Sequence, residues 1–599
     1  MPLFIVFILG AVVLGAGSML SPAWHTKQPR IALSATLCLA LVVGGAVFYA
    51  EAFGWDILIV DYMLFALMSG VVLGGTLSHA QARAEAKGET LSDGDQGWPG
   101  PQDLSFFAVT AILLLIPLMT LPVSLGTQGQ QLGFQTLIIR FGESFASLAP
   151  FYPETTVVIS PGFHALSAYL SQQLGQPIPM IQMSITAVVI YLCIWLAYDL
   201  GAEIRDKRLG RAMALAMILC GGLLMSYVDG HYTELMAVLF MLAFLIYALR
   251  FIREFNLADM VAGGLMMGAV IYTNLTMSIV LMLGFIPLCI MAWITPRLER
   301  PLADLRKSQL GLTFGFPLVA LIGIAPWLLK NVPLMFPVVP SPFTPDFAII
   351  NTTLIIGQGV FVIVGGAVIG LRNKDNDDTR FVTIVMLVWL ALVAEFALVG
   401  IIGQVIPFMG HAVNAPNLLR HGVILPVVWL GGLFLLYIWE SVISPSIQSK
   451  LRDYAYLLIA GAGGLILLVG FAFNPILDVV RPIFRLPTAT ATADDIAVMT
   501  WLKTNSPEDA MLYALDDDAW LPVYAERNAM NFRAVHYFEW DDVVTPADTL
   551  DFSFENLSNV PFDYVFVSST ETQDLSEIKG LKLVYEQGDA QVYQVLLGG

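Results

Sequence analysis

Long apolar runs alternate with short charged breaks along most of this 599-residue chain. A helix crossing the hydrocarbon core of a bilayer needs about 17–25 predominantly apolar residues. Fourteen runs meet that need, at approximately 3–20, 31–50, 57–78, 104–126, 180–199, 211–227, 233–250, 259–275, 276–295, 311–330, 347–371, 381–402, 421–439 and 455–473. The basic residues between them test this register, because short loops rich in Lys and Arg stay on the cytoplasmic side. Such loops hold Lys27 and Arg30, Arg83 and Lys87, Arg205 to Arg211, Arg250 and Arg253, Arg297 to Lys307, Arg372 to Arg380, and Lys450 with Arg452, and all seven fall on one face. The pattern predicts a multi-pass cell-membrane protein with an even span count and both termini on the extracytoplasmic side.

Three stretches break the pattern. Residues 81–103 are polar and turn-rich, and they read as a cytoplasmic linker between three leading spans (1–80) and a main bundle (104–473). Residues 127–179 form a large loop on the opposite face. Within it Phe134, Ile138, Phe141, Phe145 and Leu148 recur at helical spacing, with Thr136, Arg140, Glu143 and Ser147 on the other side. That predicts an interfacial helix, its apolar face in lipid or on the spans and its polar face toward water or a cavity. Pro150, Pro153 and Pro161 then fold the loop, and a second short helix is expected over Phe163 to Leu174. In the tail (474–599), Asp494 and Asp495 open a helical pattern that Asn505, Ser506 and Pro507 end. Four strand-like runs follow, AMLYAL, FDYVFVSS, LKLVYEQ and AQVYQVLL, the last two joined at Gly588-Asp589. The tail reads as an extracytoplasmic α/β domain.

Composition sharpens this picture. Apolar residues make up 57% of the chain and charged residues 13%, about half the share usual in soluble domains. The net charge of -18 belongs mostly to the tail, where 21 acidic residues face 7 basic ones. An acidic, solvated tail argues against nucleic acid as a partner. Cys38, Cys193, Cys220 and Cys289 all lie in apolar runs, so neither a disulfide framework nor a zinc site is implied by the cysteines. The opening MPLFIVFILG lacks a basic n-region and reads as a retained span.

Polar groups gather at the extracytoplasmic ends of the expected spans: Arg140, Glu143, Glu154 and His164 after the fourth, Asp229, His231 and Glu234 before the seventh, Lys330 after the tenth, Arg420 and His421 before the thirteenth. Such a set suits transfer from a lipid phosphate. A carboxylate can take the proton of an acceptor hydroxyl, and Lys, Arg or His can stabilise charge on the departing phosphate. For any single residue the alternative is an interfacial anchor or helix cap. Asp61 and Glu395 lie inside apolar sequence, where a charge faces a cavity or a partner, or is relieved by protonation or a hydrogen bond. The Asp516–Asp518 run lacks the ligand spacing of a calcium loop.

Four motifs together resemble the integral-membrane GT-C glycosyltransferases that use polyprenyl-phosphate sugar donors. SPGFHALSAYLSQQLG (Ser160 to Gly175) is similar to the "YPPGFH" stretch of bacterial members, and DGHYTELMAVLFMLAFLIYALR (Asp229 to Arg250) to their third-and-fourth-helix region. APWLLKN (Ala325 to Asn331) resembles their "PWxxRN" span end, with Lys330 where Arg is usual. The segment Met499 to Asn528 resembles the "WLxxNxPxxA…WLPxxxxR" opening of their outer domains. The likeness spans roughly residues 104–540.

The resemblance implies a polytopic GT-C bundle with a donor lipid among the spans, an acceptor entering from the outer face, and a catalytic acid in the first large outer loop. Where that acid commonly follows the span, this chain has Thr127, Gln128, Gly129, Gln130 and Gln131, and an amide cannot serve as a general base. Glu154, and after it Glu143, are then the candidate bases. Lys330, Arg420, His421 and Arg140 are the candidate donor-phosphate ligands, and His164, Asp229 and His231 the candidate acceptor-side residues. Partners would be a polyprenyl-phosphate-linked sugar, membrane lipid and a glycan, lipid or protein acceptor. No cofactor is indicated, no residue is assigned to a metal, and a divalent metal is left open. Two rivals stand beside this reading. A noncatalytic scaffold or binding subunit of a membrane complex would suit the amide run, and a transporter would suit Asp61 and Glu395, although no internal repeat supports it.

Overall fold

The computed structural model describes residues 2–20, 31–53, 56–85, 101–121, 123–124, 126–142, 147–148, 152–156, 160–295, 302–335, 360–373, 376–402, 415–446, 491–515, 520–530, 560–571, 573 and 575–596. The expected span at 455–473, Glu143 and the Asp516–Asp518 run lie outside these residues. Among the described residues, seven helices are long and apolar enough to cross a membrane: Pro2–Leu20, Ile178–Ile204, Tyr232–Glu254, Leu275–Ile294, Leu305–Pro333, Asp377–Val399 and Leu418–Val442. An eighth arises if Lys207–Leu219 and Gly222–Asp229, bent by 52°, are one broken span. Shorter apolar helices, Ile31–Gly45, Val60–Thr76, Asp103–Met119, Leu257–Ile271 and Val362–Arg372, stand at five other expected positions. The chain is a mostly helical, multi-pass membrane bundle with a small C-terminal sheet.

The chain begins with α1 (Pro2–Leu20), α2 (Ile31–Phe53), α3 (Ile57–Glu85) and α4 (Pro101–Thr120). Next come α5 (Thr127–Gly142), a two-stranded ribbon of β1 (Ser147–Leu148) and β2 (Tyr152–Thr156), and α6 (Gly162–Leu174). The bundle centre is α7 (Ile178–Ile204), α8 (Lys207–Leu219), α9 (Gly221–Asp229) and α10 (Tyr232–Glu254), followed by α11 (Leu257–Ile271) and α12 (Leu275–Ile294). The buried side chains of α7 and α10 run all round both helices, which is how a helix at the core of a bundle reads. By contrast Phe7, Phe65 and Ile322 are exposed, as helix faces turned to lipid must be. At the ends of the helices far from α5, Asp103 accepts from Arg211 at 2.7 Å, and Glu203 takes both Arg250 and Arg253 at 3.2 Å.

After α13 (Leu302–Leu310) and α14 (Phe316–Met335) the described elements are α15 (Val360–Arg372), α16 (Asp377–Ala394), α17 (Ala415–His421) and α18 (Ile424–Ile438). The C-terminal part holds α19 (Ala493–Asn505), β3 (Met511–Ala514), α20 (Leu521–Ala525), β4 (Asn528–Ala529), β5 (Tyr564–Val567), β6 (Leu581–Gln587) and β7 (Ala590–Val595). Thr492 caps α19 in a reciprocal box with Asp495, at the start the acidic pair indicated. The sheet order is β4-β3-β5-β7-β6, parallel among the first three and antiparallel from β5 onward. The β6–β7 hairpin turns at Gly588, whose φ of 57° is the left-handed value that favours glycine there. All four expected strands are present.

The loop helix departs from its sequence reading in extent and environment. It starts at Thr127, so the amide run is its first turn, and it ends at Gly142, with Ser147 and Leu148 in β1. Its apolar residues do not lie in lipid or on the spans alone. Phe134, Leu137 and Ile138 share a core with Val498, Leu502, Trp520 and Leu521 of the C-terminal unit, Leu132 joins the bundle core, and Ile139 packs with Val60 and Ala165. Gly129 and Gly133, one turn apart, face Trp520. The polar side is buried as well. Thr136 is 0% exposed and bonds His164 Nδ1 at 3.0 Å and Gln182 Nε2 at 2.9 Å. Periodicity showed two faces; it did not show that a second folded unit would cover one of them.

Candidate functional site

Beneath the start of α5, three chain segments meet: the turn after α9, the first turn of α10, and the joint between α17 and α18. The turn is Asp229-Gly230-His231. Gly230 has φ of 93° and presses so closely on the backbone of Gly129 that a Cβ would overlap it, which seats the loop on this turn. His231 precedes α10 and Glu234 lies in its first turn. Arg420 and His421 close α17.

Arg420 Nη1 donates to Asp229 Oδ2 at 2.5 Å and stands 2.7 Å from His231 Nε2. That imidazole nitrogen is also 3.3 Å from Asp229 Oδ2, and His231 Nδ1 is 3.6 Å from Glu234 Oε1. Thr233 Oγ1 donates to Glu234 Oε2 at 2.9 Å, and Asn274 Nδ2 donates to Thr233 at 3.1 Å. The His421 ring lies 4.7 Å from that of His231, and its Nε2 is 2.7 Å from Ser226 Oγ. Only Arg420 has substantial access, its side chain 35% exposed against 14% for Asp229 and 4% for His231. The cluster therefore presents one guanidinium outward, held in place by a carboxylate behind it. His231, Glu234 and His421 are the described residues that bring metal-ligating atoms together, within 4.8 Å of one another.

Five of the sequence-indicated residues, Asp229, His231, Glu234, Arg420 and His421, thus meet in one place. Arg140, His164 and Lys330 lie elsewhere. Arg140 makes a two-pronged ion pair with Glu526, at 2.8 and 2.9 Å, which Lys503 joins at 2.8 Å. Its partner is in the C-terminal unit and not in its own helix. His164 is fully buried against Thr136, and burial pushes its pKa down to about 3 although the Leu132 carbonyl and Glu234 oppose this, so the ring is neutral. Lys330 is exposed on α14. The backbone of Glu154 runs in β2. Asp61 accepts from Tyr169 at 2.5 Å and from Gln173 at 2.9 Å, tying α3 to α6, and Glu395 accepts from the Ile401 amide at 3.0 Å. Ser226, Glu526 and Lys503 had no sequence reading as site or anchor. The His231/Glu234 spacing at a helix start was the one signal that could have marked a paired function.

No family model matches this sequence, and no curated protein matches it. Solved structures do match in fold. ArnT from Cupriavidus metallidurans bound to undecaprenyl phosphate shares 13% identity, over 83% of this chain and 99% of that one, with a TM-score of 0.54. ArnT from the same organism in the apo state gives 14% identity, 83% and 98% coverage, and a TM-score of 0.53. AglB, the oligosaccharyltransferase of Archaeoglobus fulgidus, in complex with an inhibitory peptide and a dolichol-phosphate, is more distant, at 14% identity, 78% and 69% coverage and a TM-score of 0.45. The match with ArnT covers nearly all of that protein. This chain has the fold of the GT-C class of membrane glycosyltransferases.

Proposed function

We propose that the protein transfers a sugar from a polyprenyl-phosphate donor to an acceptor at the extracytoplasmic membrane face, in one displacement. The observation that carries this reading is Arg420, the half-buried and most accessible group of its cluster, fixed by Asp229 at 2.5 Å. A guanidinium held this way is suited to a phosphate, which it can bind with two parallel hydrogen bonds. The fold agrees, since ArnT was solved with undecaprenyl phosphate bound. In the reaction the bond from the anomeric carbon to the donor phosphate oxygen breaks as the acceptor oxygen bonds to that carbon. Glu154, with Glu143 as the alternative, takes the acceptor's proton, and Arg420 and Lys330 balance the charge left on the polyprenyl phosphate. Asp229 and His231 orient Arg420. We read Arg140 and His164 as positioning the loop that carries the base.

The same reading places about fourteen spans in the membrane, with both termini outside. It keeps residues 1–80 as leading spans, 81–103 as a linker, 104–473 as the bundle and 474–599 as the outer domain. The sugar and the acceptor are not specified by it.

Native mass spectrometry of the purified protein with undecaprenyl phosphate tests the donor site. Wild type is expected to retain the lipid, while Arg420→Ala and Lys330→Ala weaken retention at least about tenfold, as loss of a charge-assisted contact implies. Retention unchanged in both variants would remove the site. One observation favours the scaffold instead: the Thr127–Gln131 stretch is the first turn of a helix packed under Trp520, so no acid is presented there.

A further inference from the structure

We propose that Gly126 is a positioning residue for the donor phosphate, acting through Asp229, and that by way of it the C-terminal unit helps to fix Arg420. This deepens the donor reading of the Arg420 site and rests on it.

Asp229 uses its two carboxylate oxygens differently. Oδ2 accepts from Arg420 and lies 3.3 Å from His231 Nε2. Oδ1 lies over Gly126, which is buried one residue before α5 begins. A Cβ at position 126 would overlap that oxygen and also the backbone carbonyl of Asp229. Rotating the carboxylate could relieve only the first of these overlaps. The second involves backbone, so either the turn or the start of α5 would have to move.

The turn has little freedom. The Ser226 carbonyl accepts from the amides of both Gly230 and His231, the latter at 2.9 Å. Gly230 is already packed on the Gly129 backbone. Among the described residues Asp229 is the carboxylate that holds Arg420, so a shift of Asp229 is passed on to the guanidinium.

Helix α5 cannot retreat either, because the C-terminal unit stands behind it. A Cβ at Gly129 would lie 3.6 Å from the Trp520 ring, and one at Gly133 would lie 3.1 Å from Val523 and 3.5 Å from Trp520. Both of those side chains are buried. At the far end of the helix the Arg140–Glu526 pair closes at 2.8 Å. Glycines at 126, 129 and 133 thus let α5 sit at backbone distance from the turn on one side and from the C-terminal unit on the other. Packing this close has no slack, so it transmits displacement. The coupling acts in both directions: phosphate on Arg420 stiffens the start of α5, and a change at that start weakens the hold on phosphate.

The test uses the purified full chain with undecaprenyl phosphate as the probe. Retention is measured by native mass spectrometry for wild type, Gly126→Ala, Arg420→Ala and the double variant. Gly126→Ala is expected to weaken retention about tenfold, as loss of one charge-assisted contact implies, and to add nothing in the Arg420→Ala background. Equal retention by wild type and Gly126→Ala, or a full further loss in the double variant, would overturn the proposal. Should Gly126→Ala fail to fold, hydrogen exchange gives a second reading: the lipid should slow exchange of the α5 amides from Gln131 to Gln135 severalfold in wild type and not in Arg420→Ala. Lipid bound to wild type with unchanged exchange there would overturn the proposal. Retention by Arg420→Ala equal to that of wild type would instead remove the donor reading, and the role of Gly126 with it.

Discussion

His164 sits in the PGFH turn that drew attention in the sequence, yet its ring is wholly enclosed and bonded to Thr136 at 3.0 Å. Burial lowers its pKa from 6.5 to about 3. A lowered native pKa means that the unfolded chain takes the proton first. The stability contributed by the neutral ring is therefore complete above pH 6.5 and drains away as pH falls toward about 3. Thermal melts of His164→Asn should show a shallower loss of stability through that window than wild type; equal slopes would count against a buried neutral ring. Residue types and motifs were legible in the sequence here, whereas burial was not. Arg140 makes the same point, since a cation three residues from Glu143 in the sequence found its carboxylate 386 residues away.

Helix α5 is the element on which the molecule turns. Its sequence carries a pattern of 3.6-residue period, which gives a helix, though one that ends at Gly142 and leaves Ser147 and Leu148 in β1. What covers its sides depends on chain packing: the bundle through Leu132, the C-terminal core through Phe134 and Ile138, and α6 through the Thr136–His164 contact. The Arg140–Glu526 pair crosses between α5 and the C-terminal unit with side chains 17% and 8% exposed. At that burial a two-pronged pair is worth more than a surface ion pair. A double-mutant cycle on Arg140→Ala and Glu526→Ala, read by thermal unfolding, should give a coupling of about 1–2 kcal/mol. Additive losses would mean that the apolar core alone holds the unit to the bundle. Lys503 stays on Glu526 in the arginine variant, which lessens the cost of that single change.

For the molecule as a whole, the question is whether the GT-C fold here carries catalysis. A fold does not by itself imply a function, and chemistry must be argued from the site. Replacing Glu143 and Glu154 together by glutamine should abolish sugar transfer while leaving undecaprenyl phosphate bound, because an amide removes the base and not the donor contacts. Undiminished transfer in that variant would refute the assigned bases, and binding without transfer in wild type would favour the scaffold. By itself the sequence determined the membrane class, the positions of the apolar helices among the described residues, the helix and four strands of the tail, and the resemblance to GT-C enzymes. These follow from local periodicity, helix caps and turn residues, which act over a few residues of chain. Only the tertiary structure decided that Asp229, His231, Glu234, Arg420 and His421 share one cluster, that Arg140 and His164 belong to the frame around it, and that α5 is clasped by the C-terminal unit. Those outcomes depend on contacts between segments up to nearly four hundred residues apart, set by which surfaces bury together and which charges then need partners.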